Sequence, residues 1–228
     1  MAVHEGHRER MKEKFLTDGL DHFQPHEILE LFLFNAIPRR DTNEIAHRLL
    51  DTFGSLSGVF DAPYEELLKV EGVGQTAATF IKLVPPLSRC YLDDKQQDKA
   101  RVFNTESAEK IVLPKFIGRT NEVVVLLLLD SKGRQLFCGV VNEGAVNTVP
   151  IYVRKIVELA VRYNAASAIL AHNHPSGSTM PSAGDITSTK DVFQALQTVN
   201  VWLNDHIIVA DGDALSMADC GLMKKLFE

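Results

Sequence analysis

Over the first ninety residues, apolar positions recur three and four apart: Ile28, Leu29, Leu31 and Phe32, then Ile45, Leu49 and Leu50, then Leu67, Leu68 and Val70. That spacing places each group on one face of a helix, and Pro38, Gly54 and Pro63 separate the groups. Pro85 and Pro86 are expected to break or kink the last helix of the series. The most polar stretch, DDKQQDKA at 93–100, follows them and reads as a linker. Residues 1–92 therefore read as a small all-helical domain.

Beyond the linker the rhythm changes. NEVVVLLLLD is a near-continuous run of valine and leucine bounded by Ser131-Lys132-Gly133, and RQLFCGVV follows it, the pattern of a two-stranded hairpin. PIYVRKIVELAVRYNA brings Ile156, Leu159, Ala160 and Tyr163 to one helical face. ASAILAH and NDHIIVAD read as strands, with SAGDITSTKDVFQALQTV as the helix between them. Strand and helix alternate, so residues 101–228 are expected to form an α/β layered domain.

Composition adds boundaries to this picture. Hydrophobic residues make up 45% and charged residues 24% of 228, the balance of an ordinary globular protein. The longest apolar run, Val123–Leu129, is far short of the roughly 18 residues that cross a bilayer, so no membrane segment is expected. MAVHEGHRERMKEKF has no apolar stretch after its basic residues, so no secretory signal is expected. Cys90, Cys138 and Cys220 are widely separated with no C-x-x-C pair, which argues against a disulfide framework or a thiolate zinc site. The cytoplasm is the expected compartment. Net charge is −6; residues 1–100 hold 12 Lys and Arg against 17 Asp and Glu, and the remainder 12 against 13. Neither part has the basic excess of a tight, non-specific nucleic-acid binder.

The candidate chemistry lies in AHNHPSGSTMPSAGD, residues 171–185. On a strand, His172 and His174 project to the same face while Asn173 projects to the other. Two imidazoles so placed can bind one zinc ion, and a catalytic zinc needs a third protein ligand and an open position for water. Asp185 can supply that ligand across the intervening loop, where Pro175 and Pro181 stiffen the chain and Gly177 permits a turn. Ser182-Ala183-Gly184-Asp185 also has the form of a helix cap with an acid three residues on, so Asp185 has a purely structural reading as well. The H-x-H pair together with the S-x-x-D is a much more specific signal than either alone. Neither H-E-x-x-H nor P-C-x-x-C occurs, which leaves out the helix-borne zincin and zinc deaminase patterns. The letters of His172-Asn173-His174 match the name of the HNH nucleases only by coincidence, since those residues are far apart in that motif.

H-x-H-P…S-x-x-D resembles the signature of the JAMM (MPN+) zinc metalloproteases, and HNHPSG…PS-x-x-D with DHIIV downstream (Asp205–Val209) is similar to their bacterial RadC branch. The resemblance covers nearly the whole chain. It implies a JAMM/MPN, cytidine-deaminase-like mixed sheet behind a helix-hairpin-helix-like module, and a zinc-dependent peptidase that cuts a peptide or isopeptide in a protein substrate. It further implies His172, His174 and Asp185 as zinc ligands with water in the fourth position, Ser182 as donor to the developing oxyanion, and an upstream glutamate as general base. Family position favours Glu122, at the start of the VVVLLLLD strand; Glu143, in Asn142-Glu143-Gly144, is the competitor. The family's His-Pro-Arg-Glu segment is replaced here by Tyr152-Val153-Arg154-Lys155, which puts substrate contacts near that helix in doubt.

Val70-Glu71-Gly72-Val73-Gly74-Gln75-Thr76 resembles a helix-hairpin-helix turn, in which backbone N–H groups at a helix start receive a DNA phosphate. Gly72 and Gly74 are the candidate residues, yet Gly72 also suits a left-handed helix end and no lysine or arginine follows. Any DNA contact here is expected to be weak and salt-sensitive. The alternative to an enzyme is thus a DNA-associated repair or recombination accessory whose metal site is structural or inactive. A complete H-x-H…D set favours the enzyme, because a closed structural zinc site has a fourth protein ligand. His206 is expected to be a core histidine or a support for the ligands, and Trp202 a packing residue.

Overall fold

The structure, a computed structural model, describes residues 3–96, 101–144, 149–175 and 177–227. It divides into two compact units, Met1–Ser88 and Arg89–Glu228.

The first unit is helical: α1 (Val3–Asp18), α2 (Pro25–Leu33), α3 (Asn43–Phe53), α4 (Leu56–Asp61), α5 (Tyr64–Leu67) and the start of α6 (Gln75–Gln96). Of the expected periodic positions, Leu29, Ile45, Leu49, Leu67 and Val70 lie in its buried core with Leu33, Val59 and Ala77, Ala78 and Ile81 of α6, while Leu68 is exposed. α1 has no counterpart in that pattern. Its sequence carries no apolar stripe, and among its residues with described burial only Met11 is buried while Leu16 is 81% exposed. Long-range hydrogen bonds hold it instead: the Arg8 guanidinium donates to the carbonyls of Ile37, Pro38 and Arg40 at 2.9, 2.8 and 2.6 Å.

Pro85 and Pro86 do not end α6, which runs through both. A proline's φ near −65° is itself helical, so the backbone path survives the loss of two N–H donors. Asp93–Gln96 of the expected linker are accordingly the last turn of α6, and Asp93 accepts from Lys115 Nζ at 2.6 Å. Residues 97–100 lie outside the described residues.

The second unit is a three-layer α/β structure. Its sheet has the order β2-β1-β3-β4-β5, with β1 Val123–Leu129, β2 Gln135–Glu143, β3 Ser167–Asn173, β4 Trp202–Ala210 and β5 Asp213–Ser216. β1 and β2 form the expected antiparallel hairpin, β1 and β3 are antiparallel, β3 and β4 parallel, and β4 and β5 antiparallel. Four-residue β5 gave no pattern of its own. The parallel pair needs a crossover, which α9 (Ala183–Gln197) supplies.

β1 is apolar throughout because both its faces are covered. Leu126 and Leu128 pack with Leu170 against α8 (Val149–Arg162), α9 and α10 (Leu222–Phe227), through Ile156, Ala160, Val192, Leu196 and Met223. Val123, Val125, Leu127 and Leu129 face the other way, onto α7 (Thr105–Val112) and Phe116. The altered segment of residues 152–155 lies within α8, where Lys155 Nζ donates to the Val141 carbonyl of β2 at 3.1 Å and Arg154 pairs with Glu158. Trp202, expected in packing, is 65% exposed: it opens β4 just before the register shift, where it lines a surface cavity with Phe103 and Asn104.

In the first unit, Gly72 and Gly74 have different reasons to be glycine. Gly72 sits at φ +96°, and a Cβ there would lie 2.8 Å from Ile45 Cδ1 and Cγ1 in the core. Gly74 has ordinary φ and nothing within 4 Å of a Cβ. Gly72→Ala is therefore expected to destabilise this unit by about 1–3 kcal/mol, and Gly74→Ala to stay within about 0.5 kcal/mol. Thermal unfolding of the two variants checks this, and equal effects would contradict it.

Candidate metal centre

The antiparallel pairing of β1 with β3 brings the beginning of β1 beside the end of β3. Val124 is opposite His172, so the chain just before β1 reaches the end of β3 that carries the histidines. Alternation along β3 sends Ala168, Leu170 and His172 to the α8–α9 face, and Ile169, Ala171 and Asn173 to the α7 face. The ladder continues one step further, with His174 N–H donating to the Val209 carbonyl at 2.8 Å.

α9 begins at the same place. Ser182 is its cap: the serine Oγ accepts from Asp185 N–H, and Asp185 Oδ2 accepts from Ser182 N–H at 2.7 Å and from Ser182 Oγ–H at 2.6 Å. The reciprocal box fixes the Asp185 carboxylate against the two rings. Asp185 is both a cap residue and a member of the cluster, so the two readings of S-x-x-D are compatible.

His172, His174 and Asp185 each offer one ligand atom, and these atoms lie within 4.8 Å of one another. His172 Nε2 is 2.8 Å from His174 Nε2 and 3.1 Å from Asp185 Oδ1, and His174 Nε2 is 3.2 Å from Asp185 Oδ2. The polarity of the cluster shows what fits between these atoms. His174 Nδ1 is 2.7 Å from the Ser178 carbonyl, which can only accept, so that nitrogen carries the hydrogen and Nε2 turns a bare lone pair inward. The ionised carboxylate is acceptor-only. Burial pushes the Asp185 carboxyl up, but the adjacent His172 ring and the hydrogen bonds from Ser182 outweigh it and hold the group well below the usual carboxylate range. Acceptors converging on one point fit a cation, and two imidazole nitrogens with one carboxylate oxygen are donors that divalent transition metals take.

Glu122 precedes β1 and lines a cavity of about 320 Å³ together with His174, Ser178, Met180, Ser182 and Asp185. Its neighbours are pinned from β3: Asn173 Oδ1 accepts from Val123 N–H at 2.8 Å, and Asn173 Nδ2 donates to the Asn121 carbonyl at 3.0 Å. The residue between the two histidines thus holds the backbone on both sides of Glu122. Glu143 is placed differently. It is paired with Val123, and cross-strand partners share a face, so it lies on the α7 side of the sheet. There it is exposed and bonded to Arg119 Nη1 at 3.0 Å. Gly72 and Gly74 belong to the other unit.

Behind His172 stand two further buried residues. His172 Nδ1 is 2.8 Å from His206 Nε2, and His206 Nδ1 is 2.6 Å from Thr189 Oγ1. Burial, reinforced by the neighbouring His172, pushes the His206 imidazole well below its ordinary value, so it is neutral. His206 is thus the supporting core histidine that DHIIV suggested. Thr189 went unread in the sequence; its one signal is a spacing of four from Asp185, which puts both on one helix face. Ser176, within the histidine loop, lies outside the described residues.

Among the described residues no helix is long and apolar enough to cross a membrane. Two family models match the chain: the RadC-like JAB domain over residues 102–222 and the UPF0758 N-terminal region over residues 5–79. The chain is 34% identical to a UPF0758 protein of Fusobacterium nucleatum subsp. nucleatum, covering 96% of this chain and 97% of that protein. It is 36% identical to a UPF0758 protein of Idiomarina loihiensis, covering 94% and 96%, and 32% identical to one of Paraburkholderia xenovorans, covering 92% and 83%. Near-complete coverage of such relatives, together with a mixed five-stranded sheet carrying H-x-H and S-x-x-D at one end, establishes that the chain belongs to the RadC (UPF0758) family, with a RadC-like JAB domain as its α/β unit.

Proposed function

We propose that this protein is a zinc-dependent metallopeptidase that hydrolyses a peptide or isopeptide amide bond in a protein or peptide substrate. The observation that carries the reading is the convergence of His172 Nε2, His174 Nε2 and the Asp185 carboxylate beside a cavity that Glu122 lines. His172, His174 and Asp185 would hold a zinc ion, which would supply a water with its pKa lowered to about 7 and a Lewis acid for a carbonyl oxygen.

The residues of the chain then have separable tasks. Glu122, on the cavity wall, takes a proton from the attacking water and passes it to the departing amine nitrogen as the C–O bond forms and the C–N bond breaks. Asn173 keeps that carboxylate in range by fixing the peptide groups on either side of it. Ser182 has two bonds to Asp185, one through its N–H and one through its hydroxyl. The N–H suffices to hold the carboxylate, so the hydroxyl is free to turn and donate to the developing oxyanion. The face of the sheet that Glu143 occupies and its bond to Arg119 support Glu122 over it as the base. Free thiols at Cys90, Cys138 and Cys220 support the cytoplasm as the compartment.

Elemental analysis of purified protein is expected to give one zinc per chain, and none for His174→Ala; wild-type protein that neither retains nor takes up zinc would sink the metal reading. In a peptide-library cleavage screen with a chelator control, Glu122→Gln is expected to lose about 10²–10⁴-fold in rate. Glu143→Gln should stay within a few-fold of wild type. If only the Glu143 variant lost activity, the assignment of the base would be wrong.

A further inference from the structure

Thr189 and His206 are buried, polar, and take no part in the chemistry above. Their hydrogen bonds can be ordered from the one group among them that can only accept. The Asp185 backbone carbonyl can only accept, and Thr189 Oγ1 lies 2.5 Å from it, so the threonine hydroxyl proton is directed there. The alternative acceptor, the Met217 sulfur at 3.8 Å, is far weaker. With its single proton committed, Thr189 Oγ1 has only lone pairs to offer His206 Nδ1, so that nitrogen carries the hydrogen. His206 is buried, and its two ring nitrogens meet a hydroxyl and another imidazole rather than a carboxylate, so the ring is uncharged and has one N–H. His206 Nε2 is therefore bare and accepts from His172 Nδ1. The hydrogen of His172 is then on Nδ1, and its Nε2 faces His174 and Asp185 with a lone pair.

We propose that Thr189 and His206 are positioning residues that hold His172 as the Nδ1–H tautomer, which keeps its Nε2 available as a metal ligand. The relay starts at the Asp185 carbonyl and ends at the ring next to the Asp185 carboxylate, so one residue serves as its anchor and as a neighbouring ligand. Without the threonine oxygen the order reverses. His206 Nδ1 loses its acceptor, His206 donates from Nε2, and His172 must place its hydrogen on Nε2. There it finds the Asp185 carboxylate at 3.1 Å, a stable hydrogen bond that occupies the ligand nitrogen. The main-chain carbonyl that orients His174 does the same task by a simpler route.

This inference rests on the reading of the site as a zinc centre, but its test has an arm that needs no metal. Long-range proton–nitrogen NMR of the imidazoles in metal-free protein is expected to find His172 and His206 both as Nδ1–H. Thr189→Val should move His172 to Nε2–H, and Thr189→Ser should restore the wild-type pattern. Zinc affinity, by competition with a chromophoric chelator, should fall about 10–100-fold in Thr189→Val and return in Thr189→Ser. Wild-type His172 found as Nε2–H would overturn the relay, and that measurement stands even if the valine variant does not fold. A folded Thr189→Val protein with an unchanged tautomer or unchanged zinc affinity would overturn it too. Expected tautomers in a wild type that binds no zinc would overturn the metal reading and leave the hydrogen-bond direction established.

Discussion

The α/β unit depends on holding groups of the same polarity against one another. His172 Nε2, His174 Nε2 and the Asp185 carboxylate approach within 2.8–3.2 Å, and His174 and Asp185 have no hydrogen to share between them. Such a cluster is costly where it is buried, because the lone pairs that face one another have no donor between them. It persists because each member is gripped from behind: Asp185 by the Ser182 cap, His174 by the Ser178 carbonyl, and His172 by His206. A cation placed among them removes the conflict.

The sheet topology explains why these grips meet. A parallel β3–β4 pair with α9 between them puts the end of β3, the start of α9 and the middle of β4 within reach of one another. His172, Asp185 and His206 come from those three elements. The antiparallel β1–β3 pair then adds the start of β1, and with it Glu122. Strand alternation separates the two glutamates more firmly than their proximity in sequence suggests. Val123 turns to α7 and takes its partner Glu143 with it, while Glu122, one residue earlier, opens onto the histidines.

Much of this was legible in residue order, for identifiable reasons. The apolar run of β1, the stripes of α2 and α3, and the H-x-H…S-x-x-D spacing each state a local rule that the tertiary structure keeps. The exceptions are elements whose stability is not local. α1 has no apolar face and is secured by Arg8 reaching carbonyls some thirty residues away, a bond that no periodicity announces. Four-residue β5 exists because β4 offers it an edge. Pro85 and Pro86 suggested a break, since a missing donor is visible in sequence and a tolerated one is not. Trp202 looked like core because residue type says nothing about whether a strand end is covered. Thr189 was invisible for the same reason: its role appears only once His206, from another element, is placed against it.

The two histidines end up anchored to different parts of the molecule. His172 is tied through His206 and Thr189 to the buried interior, where all three side chains are shielded from water. His174 is tied to the Ser178 carbonyl, in the loop that joins β3 to α9. That loop passes so close to the turn at Asp211 that a Cβ on Gly177 would lie 2.6 Å from the Asp211 carboxylate, and Gly177 has φ +83°. The left-handed φ is what favours glycine here, since the exposed Asp211 side chain can turn aside. The loop glycine, read from sequence as permitting a turn, has the left-handed backbone of one in the loop that presents the Ser178 carbonyl to His174. One histidine is thus fixed by the packing of the core and the other by the course of a surface loop, and the cluster forms only where the two agree.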